Sequence, residues 1–371
     1  MNFGFTEEQE LLRAEVRKFL DKNAPLEEVR KWVESPEGYS PGLWLQMAEL
    51  GWVGLTVPEA HGGAELDLVT LVVLLEETGR TLCPSPLISN ALAAKAIELA
   101  GTEDQKARWL PELARGSKIG TLAALEANEP LGPEGIRMVG AADGDSVCLS
   151  GSKCHVQDAG CADVFVVAFR SEGEELSLAL VEREEEGVSV TSHAAMDPSK
   201  STGSVEFNGV TVGVEALLSS GSRDVFPYLL DLGAMMVTAE TVGAAEGAHA
   251  ITAQFAKERE QFDRVIGAYQ GVKHPLAEMF VDIESFKSLV YYAAWALDEG
   301  AEDASMAASR AKAYASEVFP RIGIDCVQLH GGVGYTWEYD IQLYLKRSKW
   351  LRPTFGDADY HYERIAALGG L

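Results

Sequence analysis

The sequence DCVQLHGGVGYTWEYDIQLYLKRSKWLRPTFGDADYHYER, residues 325–364, decides the fold. It starts on the last turn of a predicted helix, where Gln328 and His330 stand just before the glycine turn at 331–334. An amphipathic segment follows, and the chain breaks at Pro353 before Phe-Gly-Asp-Ala at 355–358. Paired glycines after a helix let backbone N–H groups approach an anionic ligand closely. A plain helix C-cap is the more frequent role of such a pair, and both interpretations stay open.

Length, charge and cysteine usage predict a soluble cytoplasmic protein. At 371 residues the chain is too long for one ordinary core, so two or three layers or domains are expected. A net charge of -26 argues against nucleic acid or an anionic membrane as the main partner. The 5 cysteines form no CxxC pair, which fits a reducing compartment and predicts no metal site. We find neither a secretory pattern at the N-terminus nor an apolar run of about 18 residues.

The hydrophobic periodicity changes twice along the chain. The first third is helical: Thr6 and Thr102 are predicted N-caps, and further helices are expected near 42–51, 66–80 and 88–100. Strands are predicted at 147–149, 164–170, 176–181, 188–191 and 205–212, separated by turns such as the one at 172–174. Long helices return at 226–260, 273–299 and 303–329, with a last helix from about 358.

This order predicts an α+β fold with three domains. A helical N-terminal domain covers 1–116, a central β-barrel or β-sandwich domain covers 117–222, and a C-terminal helical bundle covers 223–371.

Four segments, in order and in register, resemble the acyl-CoA dehydrogenase family over essentially the whole length. They are VPEAHGG (57–63), AGTEDQKARWLPELARG (100–116), KEREQFDRVIGAYQGVKH (257–274) and VQLHGGVGYTWEYDIQLYLKRSK (327–349). The resemblance implies the acyl-CoA dehydrogenase fold, FAD as the cofactor, and oxidation of the Cα–Cβ bond of an acyl-CoA to a 2-enoyl-CoA. It also implies electron-transferring flavoprotein or a similar acceptor, and tetramers in which one subunit completes its neighbour's FAD site.

The resemblance assigns six residues to FAD sites completed between subunits: Arg259, Phe262, Gln270, Gln328, Gly331 and Gly332. A guanidinium suits a pyrophosphate because it donates two parallel hydrogen bonds. At helical spacing, however, Arg259 and Glu258 could equally belong to a solvated helix face. A G-x-G-x-x-G fingerprint is absent, so the site is expected to be shared between subunits and not built on a Rossmann turn.

The sequence departs from the family at the catalytic base. Most members carry a glutamate after the aromatic residue at 355, where this chain has Gly356. A minority carry it on the helix after the β-domain, where this chain has Gly233, and the CoA-side arginine of that helix falls at Ala234. The segment KCHVQ (153–157) replaces the aromatic residue and threonine that are common near the flavin.

Two carboxylates are candidates for the missing base, because α-proton removal needs a carboxylate in a dry site. Asp357 is one residue beyond the lost glutamate. Glu240 lies two turns after Gly233 among apolar residues, where a helix–helix or subunit ion pair is the alternative role.

Three functions therefore stay open. The first is an FAD-dependent dehydrogenase with a relocated base, and the second is a base-less subunit of a heteromeric dehydrogenase. The third is a flavoenzyme of the same fold with other chemistry, such as an oxidase or monooxygenase. The Phe-Gly-Asp-Ala segment, with His361 and Arg364, resembles a bacterial subgroup that acts on bulky or ring-containing acyl-CoAs. Paired unlike subunits are frequent in that subgroup, which the resemblance links to fatty acid or steroid degradation.

Overall fold

The computed structural model describes residues 5–171, 175–218 and 222–371, so the turn predicted at 172–174 lies outside the described residues. The chain forms two compact units. One contains the N-terminal residues through Lys31, together with Leu68–Cys83 and Ala234–Leu371. The other contains Trp32–Asp67 and Pro84–Gly233. The three-domain division made from the sequence stays a prediction.

The first unit is helical. Its described helices are α1 (Glu7–Asn23), most of α2 (Leu26–Trp32), α4 (Leu68–Arg80), the C-terminal part of α7 (Ser222–Glu258), α8 (Gln270–Asp298), α9 (Ala304–His330), α10 (Ile341–Leu351) and α11 (Ala358–Leu368). A short hairpin, β9 (Glu260–Gln261) and β10 (Arg264–Val265), links α7 to α8.

The second unit combines helices with a β-sandwich. The helices are α3 (Pro41–Glu49), α5 (Leu87–Ala100), α6 (Glu103–Ala114) and the start of α7. The strands are β1 (Gly120–Ala123), β2 (Gly140–Asp143), β3 (Ser146–Gln157), β4 (Val164–Arg170), β5 (Leu176–Glu182), β6 (Val188–His193), β7 (Thr202–Gly213) and β8 (Leu217–Leu218). They form two four-stranded sheets in the orders β1-β4-β5-β8 and β2-β3-β7-β6.

A shared apolar core joins the two sheets. Phe165, Val167 and Phe169 of β4 are buried with Val205 and Phe207 of β7 in one cluster. Alternating side chains supply this layer, as the period of two in the sequence predicted. The predicted α+β fold class is confirmed, with a sandwich in the middle of the chain.

Local capping chemistry starts two helices where the sequence predicted. Thr6 accepts a hydrogen bond from the Gln9 N–H, and Gln9 Oε1 accepts one from the Thr6 N–H, at 3.2 and 3.0 Å. Thr102 and Gln105 repeat this capping box at the start of α6. The sequence missed α2, β1, β2, β8, β9 and β10. The missed strands are at most four residues long, and glycine and alanine in β1 and β2 carry little strand preference.

Helix α7 is long and apolar enough to cross a membrane by length and composition, with a mean hydropathy of 1.2 over its most apolar 18 residues. However, 83% of that window is buried within the fold. This is the burial of a core helix in a folded domain, where apolar residues on every side meet protein and not lipid.

Helices α4 and α7 touch backbone to backbone in the helical unit. A Cβ at Gly243 would overlap the carbonyl oxygen of Glu76 and lie 2.8 Å from the backbone nitrogen of Arg80. A Cβ at Gly79 would overlap the carbonyl oxygen of Glu240 in the same way. Glycine on both helices is therefore what allows the two axes to approach this closely.

We predict that Gly243→Ala lowers the melting temperature, because either helix must move to accommodate one methyl group. Overpacking of this kind costs about 1–3 kcal/mol or more. Gly42→Ala in α3 is the matched control, since a Cβ there meets nothing within 4 Å and alanine is the better helix former. Thermal unfolding followed by circular dichroism measures both variants. An unchanged melting temperature in Gly243→Ala would contradict the close contact.

Candidate functional site

The turn between α10 and α11 carries the first candidate base. Phe355 and Gly356 adopt φ angles of 56° and 94°, both in the left-handed region. The Gly356 N–H donates to the Pro353 carbonyl at 3.1 Å, which closes the turn. Asp357 then begins α11 as its N-cap, and its Oδ1 accepts a hydrogen bond of 3.0 Å from the Tyr360 N–H. A non-glycine residue at positive φ is strained, and such strain concentrates at functional sites.

Gly356 has no space for a side chain. It is buried, and a Cβ on it would collide with the Tyr360 ring and lie 2.9 Å from His361 Nε2. Its positive φ independently favours glycine. The family's usual base position is thus closed in this chain by packing and by backbone conformation together.

Lys312 of α9 lies fully buried beneath this turn. Its Nζ donates to the carbonyl oxygens of Arg352 and Gly356 at 3.0 and 2.7 Å, and to Ser316 Oγ at 2.6 Å. Burial lowers the pKa of Lys312 to about 7, and the Asp357 carboxylate opposes that effect. A neutral amine still donates two hydrogen bonds and could accept from Ser316, so both carbonyl contacts can be kept in either protonation state.

His361 holds the same turn from α11. Its Nε2 lies 2.9 Å from the Phe355 carbonyl oxygen, so Nε2 carries the proton and donates it. The side chain is fully buried. Burial, with the Lys312 charge as a second cause, lowers the pKa of His361 to about 3. The imidazole is therefore neutral at physiological pH.

Glu240, the second candidate base, lies in a buried ion pair. Arg347 of α10 donates from Nη1 to Glu240 Oε1 at 3.0 Å, and both side chains are at most 3% exposed. This contact is the helix–helix ion pair that the sequence left as its alternative role. Removing one member of a buried pair leaves an uncompensated charge, so the pair ties α7 to α10.

The β9–β10 hairpin presents Arg259 and Phe262 to solvent. Arg259 follows the last residue of α7, is exposed, and makes no ion pair within the described residues. Phe262 occupies a left-handed turn position at φ 55° with 85% of its surface exposed. Tyr269 clamps the hairpin by donating its hydroxyl to the Gln261 carbonyl at 3.0 Å. In the described part of the chain, the strained and exposed Phe262 is thus three residues from a guanidinium that makes no ion pair.

The glycines after α9 divide into two kinds. Gly331 is the C-cap of α9 with φ 65° and ψ -144°, a conformation that favours glycine but is not the left-handed conformation of the usual glycine cap. A Cβ on Gly334 would lie 2.7 Å from the Val327 carbonyl, so packing requires that glycine. Gly332 is exposed and has no positive φ, and a Cβ on it would meet nothing within 4 Å. The fold does not require glycine at 332, which leaves close approach of a ligand as a reason for it. Gln328 and Gln270 are also exposed.

In the sandwich unit, the segment at 153–157 has one buried and one exposed charge-bearing group. Lys153 is fully buried and donates to Glu126 at 2.6 Å. Burial lowers the pKa of Lys153, against the attraction of Glu126. His155 is exposed at φ 50°, beside a register shift between β3 and β7. The segment that replaces the family's aromatic residue and threonine therefore contains a buried ion pair.

Sequence reasoning missed Lys312. The signal was present: Ala308, Ala311, Lys312, Ala315 and Phe319 follow the spacing of one buried helix face. A lysine on that face must find acceptors inside the protein. Which acceptors it finds depends on a turn 40 residues or more away in sequence, and no local pattern predicts that.

Comparisons with known proteins give matches along almost the whole chain. The sequence profile of the acyl-CoA dehydrogenase N-terminal domain matches residues 6–117, and that of the C-terminal domain matches residues 223–369. Acyl-CoA dehydrogenase IpdE2 of Mycolicibacterium smegmatis is 32% identical over 98% of this chain and 99% of its own length.

Two solved structures are similar along their full length. A variant of the Tcur3481–Tcur3483 steroid ACAD superimposes with a TM-score of 0.89 at 32% identity, covering 98% of this chain and 97% of that one. The ChsE4–ChsE5 complex of Mycobacterium tuberculosis gives 0.92 at 26% identity, covering 100% of both chains.

The fold has helices at both ends of the chain and a sandwich between them. Together with these matches, it defines the class of the protein, the FAD-dependent oxidoreductases that act on acyl thioesters. The chain belongs to the acyl-CoA dehydrogenase family. The predicted family resemblance, fold class and acyl-CoA-oxidising enzyme class are confirmed.

We predict that Gly356→Ala destabilises the protein through both backbone strain and collision. Gly38→Ala is the matched control, because Gly38 also has a positive φ, of 74°, but a Cβ there meets nothing within 4 Å. Strain alone costs about 1–2 kcal/mol, so Gly356→Ala should lower the melting temperature further than the control.

A double-mutant cycle identifies the colliding group. Tyr360→Ala should reduce the loss caused by Gly356→Ala, since the ring occupies the space of the new methyl group. Strictly additive losses would show that the Tyr360 ring does not close the position.

Proposed function

We propose that this protein oxidises the Cα–Cβ bond of a bulky, ring-containing acyl-CoA, with Asp357 as the base that removes the α-proton. The observation that carries the proposal is the turn at 353–357, where a closed Gly356 stands beside a half-buried carboxylate on a strained backbone. The substrate class is supported by the full-length likeness to a steroid ACAD.

The two carboxylate oxygens of Asp357 differ in their hydrogen bonds. Oδ1 accepts from the Tyr360 N–H, while Oδ2 accepts no hydrogen bond within the described part of the chain. A carboxylate held by its own helix N-terminus is oriented by the cap and can take a proton on the other oxygen. The α-proton of the thioester passes to Asp357, and the β-hydrogen leaves as a hydride. FAD supplies the acceptor for that hydride when it is bound, and a C=C bond forms between Cα and Cβ.

Glu240 is the weaker candidate because its carboxylate already has a structural partner. The ion pair with Arg347 is buried on both sides, and protonating Glu240 would remove a negative charge from beside the buried guanidinium. A general base must change its protonation state in each turnover. We therefore expect that loss of the Glu240 carboxylate lowers the stability of the protein more than the rate of the reaction.

The residues proposed to hold FAD suit an anionic dinucleotide shared between subunits. Arg259 offers an exposed guanidinium without an ion pair in the described chain, and Gly332 offers open backbone. Phe262, Gln270, Gln328 and Gly331 are exposed on the same helical unit. We propose that these six residues complete the FAD site of a neighbouring subunit, in a cytoplasmic homo- or heterotetramer that passes electrons to electron-transferring flavoprotein or a similar acceptor. Neither nucleic acid nor a membrane is proposed as a partner.

A second function has specific support. The ChsE4–ChsE5 structure, which covers this chain completely, is by its name a complex of two different chains. This chain could therefore be the subunit without the family's glutamate, completing the FAD site of a partner that carries one. In that case the protein alone would bind little FAD or would not be reduced by substrate.

The proposal predicts that an acyl-CoA bleaches the flavin, and that Asp357→Asn abolishes this reaction. Purified protein is mixed anaerobically with butyryl-CoA, palmitoyl-CoA or cholyl-CoA, and the flavin absorbance is followed. Asparagine still caps the helix, so Asp357→Asn isolates the base from the cap. The rate should fall about 10²–10⁴-fold at unchanged FAD content.

Glu240→Gln is the matched comparison. It should lower the melting temperature, because the buried Arg347 guanidinium loses the charge of Glu240, and should leave the rate per bound FAD within a few-fold. A loss confined to Glu240→Gln would instead assign the base to Glu240. Reduction that occurs only after a glutamate-bearing partner is added would favour the heteromer.

Arg259→Ala should lower FAD content and weaken subunit assembly together. One charge-assisted contact to phosphate contributes about 1.5–3 kcal/mol, which corresponds to at least a tenfold loss of affinity. Arg108→Ala is the control, since Arg108 is an exposed arginine that pairs with Glu182 in the sandwich unit. Flavin absorbance per chain and sedimentation velocity measure the two effects. Full FAD and unchanged mass in Arg259→Ala would reject the assignment.

A further inference from the structure

Three hydrogen bonds from a single buried amine span the turn that carries Asp357. Lys312 Nζ contacts the carbonyl of Arg352, at the start of the turn, and the carbonyl of Gly356, at its end. Its third contact, Ser316 Oγ, lies one helical turn further along α9. The three acceptors match the three donors of an ammonium group, and the side chain is fully buried.

Burying this lysine lowers the stability of the fold, so its presence needs a physical explanation. A fully buried lysine loses its hydration, and an apolar residue of similar volume fills such a space at less cost. Within the described residues, the hydrogen-bond partners of Lys312 are Ser316 and the two turn carbonyls. The amine therefore acts on the turn.

The turn itself needs an external support. Phe355 and Gly356 are both in the left-handed region, and α10 ends at Leu351 while α11 begins at Ala358. Short irregular segments like this have few hydrogen bonds of their own; here the described ones include Gly356 N–H to Pro353 O. His361 fixes the Phe355 carbonyl and Lys312 fixes the carbonyls on either side of it. Together these two side chains hold three backbone carbonyls of the turn.

We propose that Lys312 is a positioning residue for the reaction: by holding the Arg352 and Gly356 carbonyls, it aims the Asp357 carboxylate at the acyl Cα. This inference rests on the proposed function, in which Asp357 is the base. Lys312 itself touches neither substrate nor flavin in this assignment. Its effect passes through the backbone, because Gly356 is bonded directly to Asp357.

The effect expected on catalysis is large compared with the effect on binding. A displacement of about 1 Å at a reacting group can cost about 10²-fold in rate. Substrate affinity comes from contacts along the whole acyl-CoA, so it should hardly change. A purely structural lysine would instead lower stability or FAD content while leaving the rate per bound FAD unchanged.

The test uses Lys312→Met, which keeps an unbranched side chain, shorter by one atom, and removes all three donors. Lys287→Met is the matched control, because Lys287 is a half-buried lysine of the same helical unit, paired with Glu246 at 2.7 Å and remote in function from the turn. Ser316→Ala is a milder variant that removes one acceptor and keeps the amine. Amide hydrogen exchange of residues 352–358 and anaerobic flavin reduction by cholyl-CoA, butyryl-CoA and palmitoyl-CoA are measured on the holoenzymes.

In Lys312→Met we expect exchange at 352–358 to rise at least tenfold and the reduction rate per bound FAD to fall about 10–100-fold, with the half-saturating substrate concentration within threefold of wild type. Ser316→Ala should move both quantities in the same direction by a few-fold, and Lys287→Met should move neither. If Lys312→Met does not fold, Ser316→Ala decides alone.

Unchanged exchange at 352–358 would overturn the role of Lys312 whether or not the enzyme is active. Faster exchange with an unchanged reduction rate would overturn it as well. A wild-type flavin that no probe reduces would reject the proposed function of this chain alone, while the exchange measurement still decides whether Lys312 holds the turn.

Discussion

The helical unit depends on the backbone contact between α4 and α7. Gly79 and Gly243 place no side chain of their own at the crossing, and a carbonyl oxygen of the facing helix occupies the space of each missing Cβ. Such closeness places Glu76 where water cannot reach it. Burial raises the pKa of Glu76 to about 7, and the guanidinium of Arg13, at 2.7 Å, opposes that rise. Buried carboxylates on this pair must therefore be matched by arginines from other helices.

The same pairing of buried carboxylates with arginines links the crossing of α4 and α7 to the candidate site. Glu240 leaves the same crossing on α7 and meets Arg347 on α10, which fixes the helix that ends directly before the turn at 353–357. Lys312 on α9 and His361 on α11 then hold the turn from the other helices. Buried polar groups thus set the geometry of the proposed base, and Glu240 and Lys312 among them have partners 40 residues or more away in sequence. Apolar packing alone would specify the helix positions less sharply, because it has no direction.

Structural features that depend only on nearby residues could be predicted from the sequence. The capping boxes at Thr6 and Thr102 need only residues three positions apart, and both formed as predicted. The long helices and the five longer strands follow from periodicity. The sequence also left Glu240 open between a base and an ion pair, since both roles place a carboxylate among apolar residues. Arg347 stands 107 residues away, so the pair became visible only when α7 and α10 met.

The residues by themselves determined the family, the order of helices and strands, and the loss of the usual base at position 356. Each of these depends on identity or on spacing within one segment. Only the tertiary structure decided how the side chains of Tyr360 and His361 close position 356, which distant residues support its turn, and which cationic groups are free to meet an anion. The support of the turn by Lys312 is a contact between segments far apart in the chain. The physical reason is that burial, desolvation and collision depend on what the rest of the fold places nearby, and the chain's own sequence neighbours do not supply it.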